Sequence, residues 1–257
     1  MSTKKPYLVS LFVVGLVAMF VVGCDQHDAT VNSEPVVFND GTEIHDPPFD
    51  SLDPIDVVGI SADSLNALAR AQYLQDMQNG LVATKTTGWI FNINMPSSFS
   101  QIDPAWKYHS LGYNWDGRST IGRYGCYLCS MAMVLVQLGC RGLTPPVLND
   151  WSLHSQAHYA FSTVDNGDKI WLAHAVKYPA TSRYYQPSIS YDQIYPALRN
   201  GWPVIIKIPY GTGYHYMVIY AFDGYRYWVL DPLQPPAQNA IPLYGNVIQS
   251  ILVGHSF

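Results

Sequence analysis

The sequence predicts an α+β domain, and two patterns carry that expectation. Apolar residues recur at helical spacing between residues 61 and 138, whereas short apolar runs bounded by turn residues take over after residue 202. Helices first and hairpin-linked strands afterwards favour helices packed on an antiparallel sheet over a doubly wound parallel one. With 257 residues, 48% of them hydrophobic and 14% aromatic, the chain can bury a sizeable core, which excludes wholesale disorder. Only 13% are charged, the net charge is −5 and no run of Lys or Arg occurs, so nucleic-acid binding by electrostatics is excluded as well. Four cysteines are too few for a disulfide-built scaffold of this length.

At the N-terminus, Lys4 and Lys5 precede an uncharged run from Tyr7 to Gly23, which ends in Val21-Val22-Gly23-Cys24. A positive start, an apolar stretch and a slim residue before cysteine resemble a bacterial lipoprotein signal over residues 1–23. That resemblance implies Cys24 as the lipid attachment site and the first residue of the mature chain. The competing reading is a transmembrane anchor, since about 18 apolar residues just cross a bilayer. Either way, the residues beyond are expected in an extracytoplasmic place, held to a bacterial membrane. Residues 24–56 carry nine acids (Asp25 to Asp56) and no Lys or Arg, with Pro35, Pro47, Pro48 and Pro54 among them. Such a stretch cannot bury enough apolar area to offset its ordering entropy and reads as an acidic flexible tether.

Residues 57–94 read as an N-terminal helical and strand extension. Ser61 is a candidate N-cap for a helix through Asn79, with Leu65, Leu68, Ala69 and Met77 as its apolar stripe and Gly80 as its stop. Trp89 to Asn94 reads as a strand, followed by loop to Gly125. The main domain, residues 95–257, contains a second helix from Cys126 to Leu138, apolar nearly all round and so expected to be buried on most sides. Thr144-Pro145-Pro146 looks like an N-cap with Pro in the first turn of a short helix through Trp151. Tyr191 to Asn200 is a further helix, and strands follow at Pro203–Ile208, Tyr214–Phe222, Tyr225–Leu230 and Asn246–Val253.

The chemistry concentrates where loop becomes helix at Cys126. A thiol there meets the positive end of the helix dipole and unpaired backbone N–H groups, which favour thiolate and can stabilise a neighbouring oxyanion. Gly125 is expected to let a substrate backbone approach. A thiolate nucleophile needs a base and a group that orients the base, and His215 and Asp231 are of the right types. A three-residue hairpin loop, Phe222-Asp223-Gly224, pairs Ala221 with Tyr225 and places His215 directly opposite Asp231, with β-carbons about 5 Å apart. A two-residue Asp-Gly turn instead puts Asp231 opposite Tyr216, on the other side of the sheet. The three-residue loop is the expectation.

These residues sit within longer matching runs: Phe99-Ser100-Gln101-Ile102-Asp103-Pro104-Ala105-Trp106, Thr120 to Cys126, Ser130 to Leu135, Leu148 to Trp151, Asn200 to Ile205, His215 to Ile219, and Leu230-Asp231-Pro232. Together they resemble the C39-like peptidases of the papain-like superfamily, from about Met95 onward. The resemblance implies a papain-like fold, in which a nucleophile-bearing helix packs on an antiparallel sheet carrying the base. It also implies Cys126 as nucleophile, His215 as general base and acid, and Asp231 as the residue that orients His215. The family's oxyanion Gln stands shortly before the Cys, but none stands in the six residues before Cys126. Gln101 matches the motif, with 24 residues between it and Cys126 and with Trp106 to Gly117 read as an inserted loop.

The expected activity is therefore a membrane-tethered cysteine hydrolase that cleaves a peptide or amide bond through an acyl-enzyme, without metal or organic cofactor. Cys129 sets up two rivals. Cys126-Tyr127-Leu128-Cys129 is a CxxC at a helix start, as in thiol–disulfide oxidoreductases, although no βαβ unit precedes it. Zinc held by Cys126, Cys129, Cys140 and a histidine such as His154 is the second. A Cys129–Cys140 disulfide is not expected, because eleven helical residues span about 16 Å. A catalytically inactive binding module on a peptidase fold completes the alternatives.

Overall fold

The computed structural model describes residues 59–82, 88–112, 120–154, 178, 184–186, 188–211 and 213–254. The expected signal, the tether and Cys24 lie outside the described residues. Helix α1 spans Ala62–Gln78; Ser61 caps it by accepting the Ser64 N–H at 3.1 Å, and Gly80 turns the chain away with φ at 69°. Its stripe of Leu65, Ala69 and Tyr73, spaced four residues apart, is buried. Strand β1 (Ile60–Ser61) precedes it, and β2 shrinks to Phe91–Asn92 from the longer strand expected. The stretch expected as loop before Gly125 contains a four-residue helix, α2 (Ile121–Tyr124), whose N-cap is Thr120. Helices α3 (Cys126–Gln137) and α4 (Pro145–His154) follow. The expected helix at Tyr191–Asn200 begins as a 3-10 turn, Tyr191–Gln193, under a Ser190/Gln193 capping box, and becomes α5 over Ile194–Arg199.

Six strands form the path of one antiparallel sheet in the order β3 (Tyr184–Gln186), β9 (Gln249–Gly254), β4 (Val204–Tyr210), β5 (Gly213–Phe222), β6 (Tyr227–Leu230) and β7 (Ala240–Pro242). Strand β2 pairs with Ala221 and Phe222 of β5, the edge that β4 leaves free beyond Val204. A separate two-stranded sheet joins β1 to β8 (Asn246–Val247).

Continuous apolar runs in β4 and β5 follow from burial on both faces of the sheet. One face presents Ile205, Val218, Leu230, Ile251 and Val253 to α3. The other presents Val204, Ile206, Ile208, Met217, Ile219 and Val229 to α1 and α5, where Leu65, Ala69, Ile194 and Leu198 cover it. Ten of the twelve residues of α3 are buried, so this helix is central rather than amphipathic. Among the described residues, no helix is long and apolar enough to cross a membrane.

The β5–β6 hairpin differs from both anticipated registers. Its loop has four residues, Asp223 to Arg226, and Phe222 pairs with Tyr227. The Asp223 carboxylate accepts the N–H groups of Tyr225 and Arg226 at 2.8 Å each, an Asx arrangement that absorbs the extra residue. A bulge at Tyr220 then shifts the ladder, so that Ile219 faces Val229 and Val218 faces Leu230. One step further, Asp231 stands opposite Met217 and diagonal to His215, rather than directly opposite it. The bulge restores parity, and His215 and Asp231 share a face.

Candidate active site

Cys126 is the first residue of α3, and the turn before it explains how it is set. Thr120 Oγ1 accepts the Arg123 N–H at 3.3 Å, and Gly125 N–H donates to Ile121 O at 2.8 Å, ending α2 one residue ahead of the thiol. A Cβ at Gly125 would lie 2.3 Å from Ile121 O, and one at Gly122 2.6 Å from Lys107 O. Both glycines are thus required by approaches within the chain, which gives Gly125 a reason other than the substrate access expected of it. Next to the thiol, the Tyr127 ring stacks on Tyr216 with centroids 4.2 Å apart, and Ser130 Oγ donates to Tyr216 O at 3.3 Å. These contacts press the start of α3 onto β5 beside His215.

His215 is 2% exposed and Asp231 is fully buried. His215 Nε2 lies 2.6 Å from Asp231 Oδ1, and Cys126 is near enough to the same ring to raise its pKa. With Nε2 taken by the carboxylate, Nδ1 is the nitrogen left for the sulfur. Burial pushes the imidazole toward its neutral form, but the hydrogen bonds and charges of Asp231 and Cys126 outweigh it, and the pKa rises from 6.5 to about 9. Burial acts to raise Asp231, yet the His215 hydrogen bond and charge, the Leu233 N–H and the Tyr244 hydroxyl together hold the carboxyl below its ordinary value. Asp231 Oδ1 also accepts from Leu233 N–H at 2.8 Å, and Oδ2 accepts from Tyr244 OH at 2.8 Å.

Gln101 is brought to the same place. Its backbone N–H donates to Pro232 O at 2.8 Å, and its side-chain Nε2 donates to Gly122 O at 2.8 Å, so it bridges the exit of β6 and the approach to Cys126. The amide orientation follows from that acceptor, because the flipped group would set two oxygens against each other. Ser100 Oγ donates to Pro232 O, and Asn239 Nδ2 donates to Asp231 O at 3.0 Å, tying the same segments together. Cys126, His215, Asp231 and Gln101 therefore converge from four separate parts of the chain. Tyr244, Asn239 and Ser100 were not singled out as functional by the sequence; Tyr244 is one of 19 tyrosines and no motif marks it.

Cys129 sits in the core beneath this centre. It is a free thiol like Cys126, fully buried in the cluster under α3, and burial, followed by the nearby Cys126 and Asp103, pushes it well above its ordinary pKa. A resolving thiol needs access and thiolate character, and Cys129 has neither. Among the described residues, no three His, Cys, Asp or Glu side chains group as metal ligands. Cys126 opens a helix about 18 Å long and Cys140 lies past its far end, which separates two of the expected zinc ligands. The side chain of His154 lies outside the described residues.

A helix-borne thiol, a strand histidine and a carboxylate bound to that histidine, on an antiparallel sheet, define the class of cysteine-peptidase-like proteins. The chain belongs to the Peptidase C39-like family, whose model matches residues 99–245 and so includes Gln101, Cys126, His215 and Asp231. A crystal structure of a candidate C39-like peptidase from Bacillus anthracis is similar at 16% identity, covering 65% of this chain and 98% of that one, with a TM-score of 0.44. No match is found among curated proteins.

Proposed function

We propose that the protein is a membrane-tethered, extracytoplasmic cysteine hydrolase that cleaves a peptide or amide bond through an acyl-enzyme. The observation that carries this reading is the 2.6 Å contact of His215 Nε2 with Asp231 Oδ1, which leaves Nδ1 for Cys126. With the His215 pKa raised to about 9, the imidazolium form is favoured at neutral pH, which suits a thiolate partner. Cys126 Sγ attacks the substrate carbonyl. The first N–H groups of α3, which no earlier carbonyl of that helix satisfies, receive the oxyanion. Gln101 Nε2 spends one hydrogen on Gly122 O and offers the second to the same oxyanion. His215 then protonates the leaving amine as the C–N bond breaks, and afterwards takes a proton from the water that releases the acyl group. Asp231 keeps the ring oriented and stabilises the imidazolium. No step calls for a metal or organic cofactor.

Tethering rests on Lys4, Lys5, the run to Gly23 and Cys24 at its end. Lipid on Cys24 would hold the domain at the membrane through the acidic segment of residues 24–56.

The test of the chemistry is the rate of Cys126 alkylation against pH. Fast reaction at neutral pH is expected, together with a drop of roughly 100-fold or more in His215→Asn. A slow thiol that His215→Asn leaves unchanged would overturn the hydrolase reading in favour of a binding module. A Cys126–Cys129 disulfide required for activity would overturn it in favour of an oxidoreductase.

A further inference from the structure

The carboxylate that holds His215 has a second oxygen, and its donor comes from a segment that the reaction as described leaves unused. We propose that Tyr244 is a positioning residue of this centre: its hydroxyl, 2.8 Å from Asp231 Oδ2, locks the carboxylate so that Oδ1 stays on His215. The inference rests on the hydrolase reading and extends it by a residue outside the Cys, His and Asp.

Three observations support it. First, Asp231 Oδ1 is occupied by His215 Nε2 and Leu233 N–H, and the Tyr244 hydroxyl supplies the donor on Oδ2. The terminal torsion of Asp is broad and roughly two-fold, so a carboxylate tied at one oxygen keeps rotational freedom that a donor on the other removes. Second, Tyr244 is itself held from both sides. Leu243 N–H donates to Tyr227 O at 3.0 Å, and Gly245 O accepts the Ala62 N–H, the first of α1, at 2.9 Å. Gly245 has φ of 75°, and a Cβ there would lie 3.2 Å from the Ile208 side chain, so this turn needs glycine. Strand β8 follows at once and pairs with β1. The phenol is therefore presented by a clamp that joins β6 to the start of α1.

Third, the phenol stays a donor. Burial, then the charge and hydrogen bond of Asp231, push its pKa well above the ordinary value, with Tyr210 and Cys126 adding to the rise. The titratable groups around the pair are His215 and Cys126 on one side and Tyr210, whose ring lies 5.5 Å from that of His215, on the other.

Tyr244→Phe keeps the ring and removes only the hydroxyl. Expected is a fall of roughly 10- to 100-fold in Cys126 alkylation at neutral pH, with the acid-side limb of the pH profile displaced to higher pH. In an Asp231→Asn background, Tyr244→Phe should change the rate by less than about twofold, since both act through one carboxylate. A second readout does not depend on the thiol: the His215 ring N–H resonance, shifted far downfield by the carboxylate in the unaltered protein, should broaden or move upfield in Tyr244→Phe. Unchanged resonance and pH profile in a folded Tyr244→Phe would overturn the assignment. A slow thiol in the unaltered protein, with the resonance still moved by Tyr244→Phe, would instead refute the hydrolase reading and leave the positioning role standing.

Discussion

His215 is buried with Nε2 on the Asp231 carboxylate and Cys126 nearby, and the pH dependence of the fold follows from that. Its folded pKa of about 9 stands above the unfolded value of 6.5, so the stability it contributes is fully present below about pH 6.5 and is lost as pH rises through about 9. Asp231 is held below its ordinary 3.8, so its contribution is present above that value and is lost as pH falls through the folded pKa. Melting temperatures measured across pH should therefore fall on the alkaline side in the unaltered protein and lose that dependence in His215→Asn; parallel curves would refute the pairing. Cys129→Ala should keep the alkylation rate of Cys126 within about twofold while lowering the melting point by a few degrees, because it removes a fully buried sulfur but no part of the reactive centre. At this scale Cys126, His215 and Asp231 were legible because a nucleophile at a helix start demands a base and an orienting acid. Gln101 needed the resemblance to be noticed. Tyr244 was illegible: nothing local distinguishes a tyrosine that donates to a distant carboxylate from one that fills space.

Between β5 and β6, the expected meeting of His215 with Asp231 comes about through an unexpected backbone. The Asp-Gly pair signalled a tight turn, but Asp223 accepts two N–H groups and widens the loop to four residues. Propensity does not register that carboxylate, nor the bulge at Tyr220 that compensates for it. Continuing the first pairing without the bulge would set Asp231 opposite Val218, on the face turned away from His215. Inserting one residue between Val218 and Ile219 would likewise set Asp231 opposite Val218 and should abolish fast alkylation even in a chain that still folds, with circular dichroism to verify folding and the alkylation assay to verify the loss. Deleting Tyr220, by contrast, keeps Met217 opposite Asp231 and should preserve it. The long helices were readable from period and caps, as at Ser61 and Gly80. The short elements were not: α2, β3 and β7 have three or four residues each, too few for any period to show. Gly125→Ala should weaken the junction of α2 with α3, since the added Cβ would meet the Ile121 carbonyl; a lower melting point together with slower alkylation is expected.

Across the whole molecule, the sheet is covered on both faces, and the two covers come from different parts of the chain. Helix α3 belongs to the family-matched residues 99–245, whereas α1, β2 and β9 lie outside them. Leu65 of α1 is fully buried, and Leu65→Ala should destabilise the protein by about 2–5 kcal/mol, measurable by urea denaturation. If Cys24 carries the lipid, Cys24→Ala should move the protein from the detergent-rich to the aqueous phase on partitioning. The practical corollary of the two-sided cover concerns where the gene can be trimmed. An expression fragment cut to residues 99–245 would strip α1 from Ile206, Met217 and Ile219, and would open the edge of β4 that β9 occupies. Such a piece would offer water an oily plate beside an unpaired strand, and it should precipitate where a fragment spanning 59–254 stays dissolved.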